Sequence, residues 1–393
     1  MQYARLLGAA RRGQVLTAAV VASSVVVMAL GHRLSTATFD TLAWTAVLVL
    51  VTQALVDDRP RLWLVAGVVA GVGLNNKHAV VFLLFGVLVA LALDPIHRPV
   101  LRTRWPWLAG LVAAVMWVPN LVWQAQHGWP VLDLSADIAD EYGGVGGRVQ
   151  LVVQAVLIFS PLMFLVWARG LGALLRDARW RAVRLPAYVF VVVLVVFLVT
   201  GGKAYYLAGA IVPLLAAGCT WVAERWPSHA DELGFVLALS AVVAWPALVP
   251  VLPAATYAGS FYPSIDDDQP ETIGWPTYAA QVRDVVRDLP DAAVVFTGNY
   301  GEGGAFEWYG VGAPVYSGHN GWRDWGPPPD GAAPVVVVGF DPDDADFTGC
   351  EQRTTLHNRY GLDNEEEGLP VWVCDGPAGS WSSVWARLVH YDA

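Results

Sequence analysis

The sequence predicts a polytopic α-helical membrane protein with about nine spans and a C-terminal soluble α/β domain. Three observations predict it. Apolar runs long enough to cross a hydrocarbon core of about 30 Å recur through roughly the first 250 positions. The composition is 55% hydrophobic and only 15% charged, unlike an ordinary soluble domain. The charge also changes sign along the chain. From Tyr257 onward there are 22 acids against 6 bases, leaving 12 acids against 18 bases of the total 34 and 24 for everything before it. A basic apolar part followed by an acidic polar part divides the chain into a helical bundle over 1–252 and a second domain over 257–393.

The apolar segments lie near 15–31, 41–56, 62–74, 78–93, 106–123, 150–168, 185–200, 206–223 and 233–251. The first follows Arg5, Arg11 and Arg12 and has the look of a signal peptide, but the spans downstream make it a first transmembrane helix. The run from Leu62 to Leu93 decides the topology. As one helix it would be about 48 Å long and would bury Lys77 near its middle, at roughly 2.5–3.5 kcal/mol. Two short spans joined at Asn75-Asn76-Lys77-His78 avoid that. With the split, Arg59, Arg61, Arg98, Arg102, Arg104, the five arginines from Arg169 to Arg184, and Arg225 share a side with the N-terminus. The positive-inside rule makes that side cytoplasmic. The loops bearing Arg33, Lys77, Arg148 and Lys203, and the acidic tail, then face outward, so the chemistry-bearing side chains gather on the exoplasmic face of a plasma membrane.

In the tail, Pro276 to Leu289 reads as an amphipathic helix. The stretches 293–298, 314–318, 334–340 and 370–374 read as strands, which predicts a small α/β domain with a largely parallel sheet. Cys219 lies in an apolar run and reads as core. Cys350 and Cys374 can pair if the tail meets an oxidising compartment, which the sequence leaves open. Scattered basic residues without a patch exclude nucleic-acid binding.

Several outward stretches have two readings. Pro119 to Pro130, PNLVWQAQHGWP, opens a long polar loop over 124–149 and is either an interfacial aromatic belt or a sugar-binding rim using Asn120, Gln126, His127 and Trp129. Lys77, flanked by Asn76 and His78, either snorkels at a span end or holds a lipid-linked phosphate. In GGKAYYL (201–207), Lys203, Tyr205 and Tyr206 offer charge, aromatic faces and hydroxyls to a sugar phosphate, or mark an interface. Transfer of a sugar to a hydroxyl is helped by a base. Asp40, Asp133, Asp137, Asp140 and Glu141 face outward, but none stands out, and Asp40 equally suits a helix N-terminus. TGNYGEGGAF (297–306) reads as a structural turn rather than a phosphate loop. His319 and Asp324 lack a third metal ligand. DNEEEG (363–368) lacks calcium-loop spacing and reads as a solvated turn, so no metal or other cofactor is expected.

The combination LNNK, PNLVWQAQHGWP, TGGKAYYLAG, TGNYGEGGAFEWYG, YSGHNGWRDWGPPP and GLDNEEEGLPVWVC resembles bacterial membrane glycosyltransferases of the protein O-mannosyltransferase-like group, glycosyltransferase family thirty-nine, with the GT-C type of fold. The likeness runs from near Gly8 to near Tyr391. It implies transfer of a hexose or pentose from a polyprenyl-phosphate donor to a hydroxyl of a cell-envelope glycan, lipid or protein, at the exoplasmic membrane surface. It puts Lys77 and Lys203 where cations meet the donor phosphate, and Asn120, Gln126, His127, Tyr205 and Tyr206 on the same rim. Such enzymes carry an Asp-Glu pair in a first outer loop, and this chain starts with residues that resemble the family's interior. The expectation is therefore a chain without the family's N-terminal catalytic segment. Its catalytic residue is unknown, and Asp40 is a candidate that does not match the pair. The alternatives are a non-catalytic membrane glycan-binding protein and a transporter. A transporter needs ionisable groups near the midplane rather than at helix ends.

Overall fold

The computed structural model describes residues 1–266, 268–342 and 347–391. They fall into two compact units, Met1–Trp245 and Pro246–Ala393, so the division comes a few residues before the expected one.

The described residues of the first unit form helices and connecting turns. A short α1 (Gln2–Leu6) precedes α2 (Arg11–Ser23) and α3 (Val25–His32), a pair bent by 57°. α4 (Thr36–Val56), α5 (Arg61–Asn76) and α6 (Val80–Leu93) follow, with Lys77 extended between the last two, as the cost of burying its charge mid-helix requires. α7 (Trp105–Gln126) turns into α8 (Pro130–Tyr142). α9 (Val145–Leu157) and α10 (Pro161–Arg176) form a second bent pair, at 93°. α11 (Leu185–Thr200), α12 (Ala208–Arg225) and α13 (Ala230–Leu248) complete the series.

A helix overlies each apolar segment, but their lengths differ. Four are long and apolar enough to cross a membrane alone: Thr36–Val56, Trp105–Gln126, Ala204–Arg225 and Ala230–Leu248. Counting each bent pair as one span gives up to six. Nine spans would require α5, α6 and α11, of 16, 14 and 16 residues, to cross as short helices.

The two bends meet. Ser24 is extended, and the freed N–H groups of Val25 and Val26 donate to the carbonyls of Phe159 and Ile158, at 3.3 and 3.1 Å. Ser160 and Ser240 hydroxyls close the gap at 2.9 Å. Each break thus uses backbone groups of the other, which is how irregular backbone survives inside a membrane bundle. α12 is the buried centre of the unit, because small residues let its neighbours approach. A Cβ on Gly170 would collide with the Leu214 carbonyl, one on Gly218 with the Val166 carbonyl, and one on Gly209 with Trp44.

One expectation is corrected. The stretch from Pro119 does not open a long loop, since α7 runs through Pro119 to Gln126 and α8 begins at Pro130. Pro119 removes one helical N–H, which a helix among helices tolerates. The turn is made instead by Gly128 and Trp129, both at positive φ, with Pro130 pre-set for the first turn of α8.

In the second unit, α14 (Ala254–Ala258) and α15 (Trp275–Arg287) precede β1 (Val294–Thr297), α16 (Tyr300–Tyr309), β2 (Val315–Ser317) and β3 (Val335–Val338). β4 (Phe347–Thr348), β5 (Glu351–Thr355), β6 (Pro370–Cys374), β7 (Gly376–Pro377) and α17 (Trp381–Leu388) follow. The main sheet has order β2-β1-β3-β6-β5, and β4 pairs with β7 in a small ribbon. β1 runs parallel to β2 and β3, but β6 runs antiparallel to β3 and β5, so the sheet is mixed rather than largely parallel. β1 and β3 are buried on both faces, which explains their unbroken apolar runs. Val295, Val336 and Val338 pack with Tyr278, Val282 and Phe306 of α15 and α16. Phe296, Val335 and Val337 pack with Trp381, Val384 and Leu388 of α17. A disulfide joins Cys350 to Cys374, and Cys219 is free and buried.

Candidate functional site

The α5–α6 junction brings together residues that lie far apart in sequence. Lys77 is half-buried, and its ammonium donates to the Tyr205 hydroxyl at 3.3 Å. It also lies over the rings of Tyr205 and Tyr206, 4.7 and 4.3 Å from their centroids. The two rings meet edge to face at 4.8 Å. Cation–π contacts of this kind hold a charge without neutralising it, leaving the ammonium able to meet an anion. Asp40, in the second turn of α4, is 3% exposed and accepts from the Trp44 indole N–H at 3.0 Å. Asp40 and Lys77 form no direct ion pair among the described residues.

Local structure fixes these positions. The Asn76 amide donates to the Thr36 carbonyl at 2.8 Å, pinning the end of α5 to the start of α4. The Asn75 amide donates to the carbonyls of Gly71 and Met116, at 2.8 and 2.9 Å. Asn76, expected to meet substrate, therefore has its amide N–H engaged as a brace. His78 Nε2 and Asn120 Oδ1 are 3.0 Å apart, and the His78 ring lies 5.6 Å from Trp117. Lys203 enters from the other side, over the Tyr142 ring at 5.3 Å. Gly201, at φ 80°, packs on the backbone of Tyr142 and Gly143, where a side chain would crowd the turn.

The remaining candidates form a separate patch. Trp123 and His127 stack at 4.2 Å and 17°, and His127 Nδ1 donates to the Trp123 carbonyl at 2.8 Å. Gln126, His127 and Trp129 are all exposed. Their described contacts stay within their own turn, so the structure joins Lys77 with Tyr205 and Tyr206, links His78 with Asn120, holds Asp40 on Trp44 and Lys203 on Tyr142, and leaves these three on an outer surface. The partner of Lys77, Tyr205, is 128 positions away, a pairing that only the shared sugar-phosphate chemistry of both stretches hinted at.

In the second unit, the turn at 297–306 is filled by its own side chain. The Asn299 side chain accepts from the Glu302 N–H at 2.8 Å, and Glu302 accepts from the Asn299 N–H at 3.0 Å, a reciprocal capping box. His319 is buried, accepts from the Tyr300 N–H at 3.2 Å, and stacks on His390 at 4.8 Å. Phe306, Glu307, Tyr316, Trp322 and Trp325 line a cleft of about 530 Å³. The reading of 363–368 as a solvated turn is corrected. Asn364 and Glu366 are buried, because the Asn364 amide bridges the Pro270 and Ile273 carbonyls and the Tyr278 hydroxyl.

Residues 2–123 match the dolichyl-phosphate-mannose-protein mannosyltransferase family. The match covers under a third of the chain, and it says that this segment is similar to a family of membrane glycosyltransferases. It includes Asp40, Asn76, Lys77, His78 and Asn120, and stops short of Lys203, Tyr205 and Tyr206. No curated protein and no solved structure matches the chain.

Proposed function

We propose that the protein transfers a sugar from a polyprenyl-phosphate donor to an acceptor hydroxyl on the exoplasmic face of the plasma membrane, with Lys77 at the donor phosphate. The observation that carries this is the half-buried Lys77 ammonium held on two tyrosine rings. In the reaction, the acceptor oxygen forms a bond to the sugar C1, the C1–O bond to phosphate breaks, and polyprenyl phosphate leaves with the electron pair. Lys77 and Lys203 stabilise the charge that develops on that phosphate. Asp40, held in place by the Trp44 indole, is the carboxylate assigned to take the acceptor proton. Tyr205 and Tyr206 offer ring faces and hydroxyls to the sugar phosphate. His78 and Asn120 continue the polar rim, and Gln126, His127 and Trp129 position the acceptor at its outer margin. The acceptor is a glycan, lipid or protein of the cell envelope.

The disulfide supports the outward placement of the second unit, since such bonds persist in oxidising compartments. The test uses purified full-length protein in lipid nanodiscs with a labelled polyprenyl-phosphate mannose and a panel of hydroxyl acceptors. Release of polyprenyl phosphate coupled to labelling of an acceptor is expected. Saturable glycan binding with no release, or solute flux without transfer, would sink the proposal.

A further inference from the structure

We propose that the cleft beside β2 in the second unit is a glycan-binding site, taking a short stretch of a neutral oligosaccharide. Phe306 and Glu307 of α16, Tyr316 of β2, and Trp322 and Trp325 line it, around a volume of about 530 Å³. That lies within the usual range for small-ligand sites, about 300–1,000 Å³. All of these residues belong to the second unit.

The chemistry of the lining selects the ligand. The Trp322 and Trp325 rings are 4.7 Å apart between centroids and inclined by 55°, so they form a shallow V rather than one flat sheet. Trp325 is 72% exposed, which leaves a large apolar face in water until something covers it. A pyranose ring presents C–H groups on its faces and hydroxyls around its rim. An indole matches the face with apolar area and the rim with one N–H donor. The indole N–H groups of Trp322 and Trp325 and the exposed Glu307 carboxylate have no hydrogen-bond or ion-pair partner among the described residues. Two donors and one acceptor are thus open to hydroxyls.

Charge decides against other occupants. The lining carries one carboxylate and no Lys or Arg. The chain from Tyr257 onward has 22 acids against 6 bases. A phosphate-bearing polymer or an anionic membrane surface would be repelled by that field, and a neutral glycan would not. A peptide strand added at the sheet edge is poorly served, because β2 has only three residues.

The aromatic platform is built before any ligand arrives. Trp322 and Trp325 lie on the short 3₁₀ turn Asn320–Trp325. The Asn320 N–H donates to the His390 carbonyl at 3.0 Å, and the His390 N–H donates to the Gly318 carbonyl at 3.1 Å. The Arg323 guanidinium lies over the Tyr391 ring at 4.3 Å, a further tie to the end of the chain. A Cβ on Gly318 would strike the Leu388 carbonyl, so this close approach needs glycine. The Trp322 ring packs on α16, where a Cβ on Gly303 would meet it at 3.4 Å. Preorganisation of this kind lowers the entropic cost of binding.

The experiment titrates neutral hexasaccharides of mannose, glucose, galactose and arabinose into full-length protein in lipid nanodiscs, followed by calorimetry. Saturable binding of at least one of them is expected. Trp325→Ala should weaken it by roughly tenfold or more, the effect of losing an aromatic anchor, with the melting temperature unchanged. Glu307→Gln should weaken it a few-fold. Trp308→Ala removes an indole that is 84% exposed but lies outside the cleft lining, and should bind as wild type does. No saturable glycan binding, equal affinity in Trp325→Ala, or tighter binding of a proline-rich decapeptide would each overturn the assignment. So would a Trp325-dependent share of the fluorescence quenched by brominated lipid, which would give that indole to the membrane. The readout is binding rather than sugar transfer, so its failure and the failure of the proposed activity are told apart.

Discussion

The two ends of α6 hold buried charge in opposite ways. At its C-terminal end, Asp94 is fully buried and accepts from Arg184 Nη2 at 2.6 Å, Arg184 Nε at 3.0 Å, His97 Nδ1 at 2.8 Å and the Ile96 N–H at 3.0 Å. Four donors saturate two oxygens, and a bidentate guanidinium is the strongest of them. At the N-terminal end, Lys77 has one hydroxyl and two ring faces, while Asp40 has a single indole N–H. A saturated ion pair is a structural knot with nothing left to offer a ligand. A cation held by rings keeps its charge available. The contrast separates fold from function within one helix.

The largest effect should come from breaking the knot. Arg184→Ala leaves Asp94 buried and uncompensated and should cost about 3–5 kcal/mol, seen as loss of the melting transition in detergent. A small change there would mean that Asp94 finds another partner and that the two ends differ less than argued. Next, Asp40→Asn preserves an acceptor for Trp44 but removes the carboxylate charge. Transfer should fall by roughly 10²–10⁴-fold, the usual contribution of a positioned general base, with the melting temperature held. Equal transfer in the variant would remove Asp40 from the reaction. Tyr205→Phe deletes one hydroxyl and should lower kcat/KM by up to about tenfold, because the ring contact with Lys77 survives. His127→Ala, on the outer patch, should change stability by less than about 0.5 kcal/mol and raise the acceptor KM alone; a fall in kcat would move that patch into the reacting centre.

The acidic cluster of the second unit, Glu271, Glu365 and Glu366, resembles neither end, and pH sharpens the difference. Burial and the neighbouring carboxylates raise Glu366 in the folded state from 4.5 to about 8, so the folded protein binds the proton more tightly than the unfolded chain. The stabilisation is complete below about pH 4.5 and is lost as pH rises towards about 8. The melting temperature should decline across that window, and Glu366→Gln should flatten the decline.

Much of the bundle was legible because apolar length and charge are strong signals. The split at Lys77 followed from the cost of a buried ammonium, and β1, β2, β3 and β6 from unbroken apolar runs. Other features carried no local signal. Pro119 and the polar residues after it suggested a loop, whereas the neighbouring backbone sustains the helix to Gln126. β5 is the polar edge stretch EQRTT, without the alternation that marks a half-buried strand. At the candidate site, the residue types at Lys77, Tyr205 and Tyr206 were readable, but their convergence was not. Asn76 illustrates the limit, since an amide suited to a sugar hydroxyl is engaged with Thr36. The glutamate cluster was hidden for the same reason, because a local reading of 363–368 cannot see Glu271, 94 positions from Glu365.

The central claim is that Lys77 carries charge for a phosphate rather than for the fold. Its most direct test is the Lys77→Met variant, assayed for sugar transfer at saturating acceptor alongside its melting temperature. The account predicts a loss of roughly 10²–10³ in rate, the usual effect of removing one preorganised electrostatic contact, with an unchanged melting temperature. Full transfer activity in Lys77→Met, or a collapse of stability like that expected for Arg184→Ala, would contradict it.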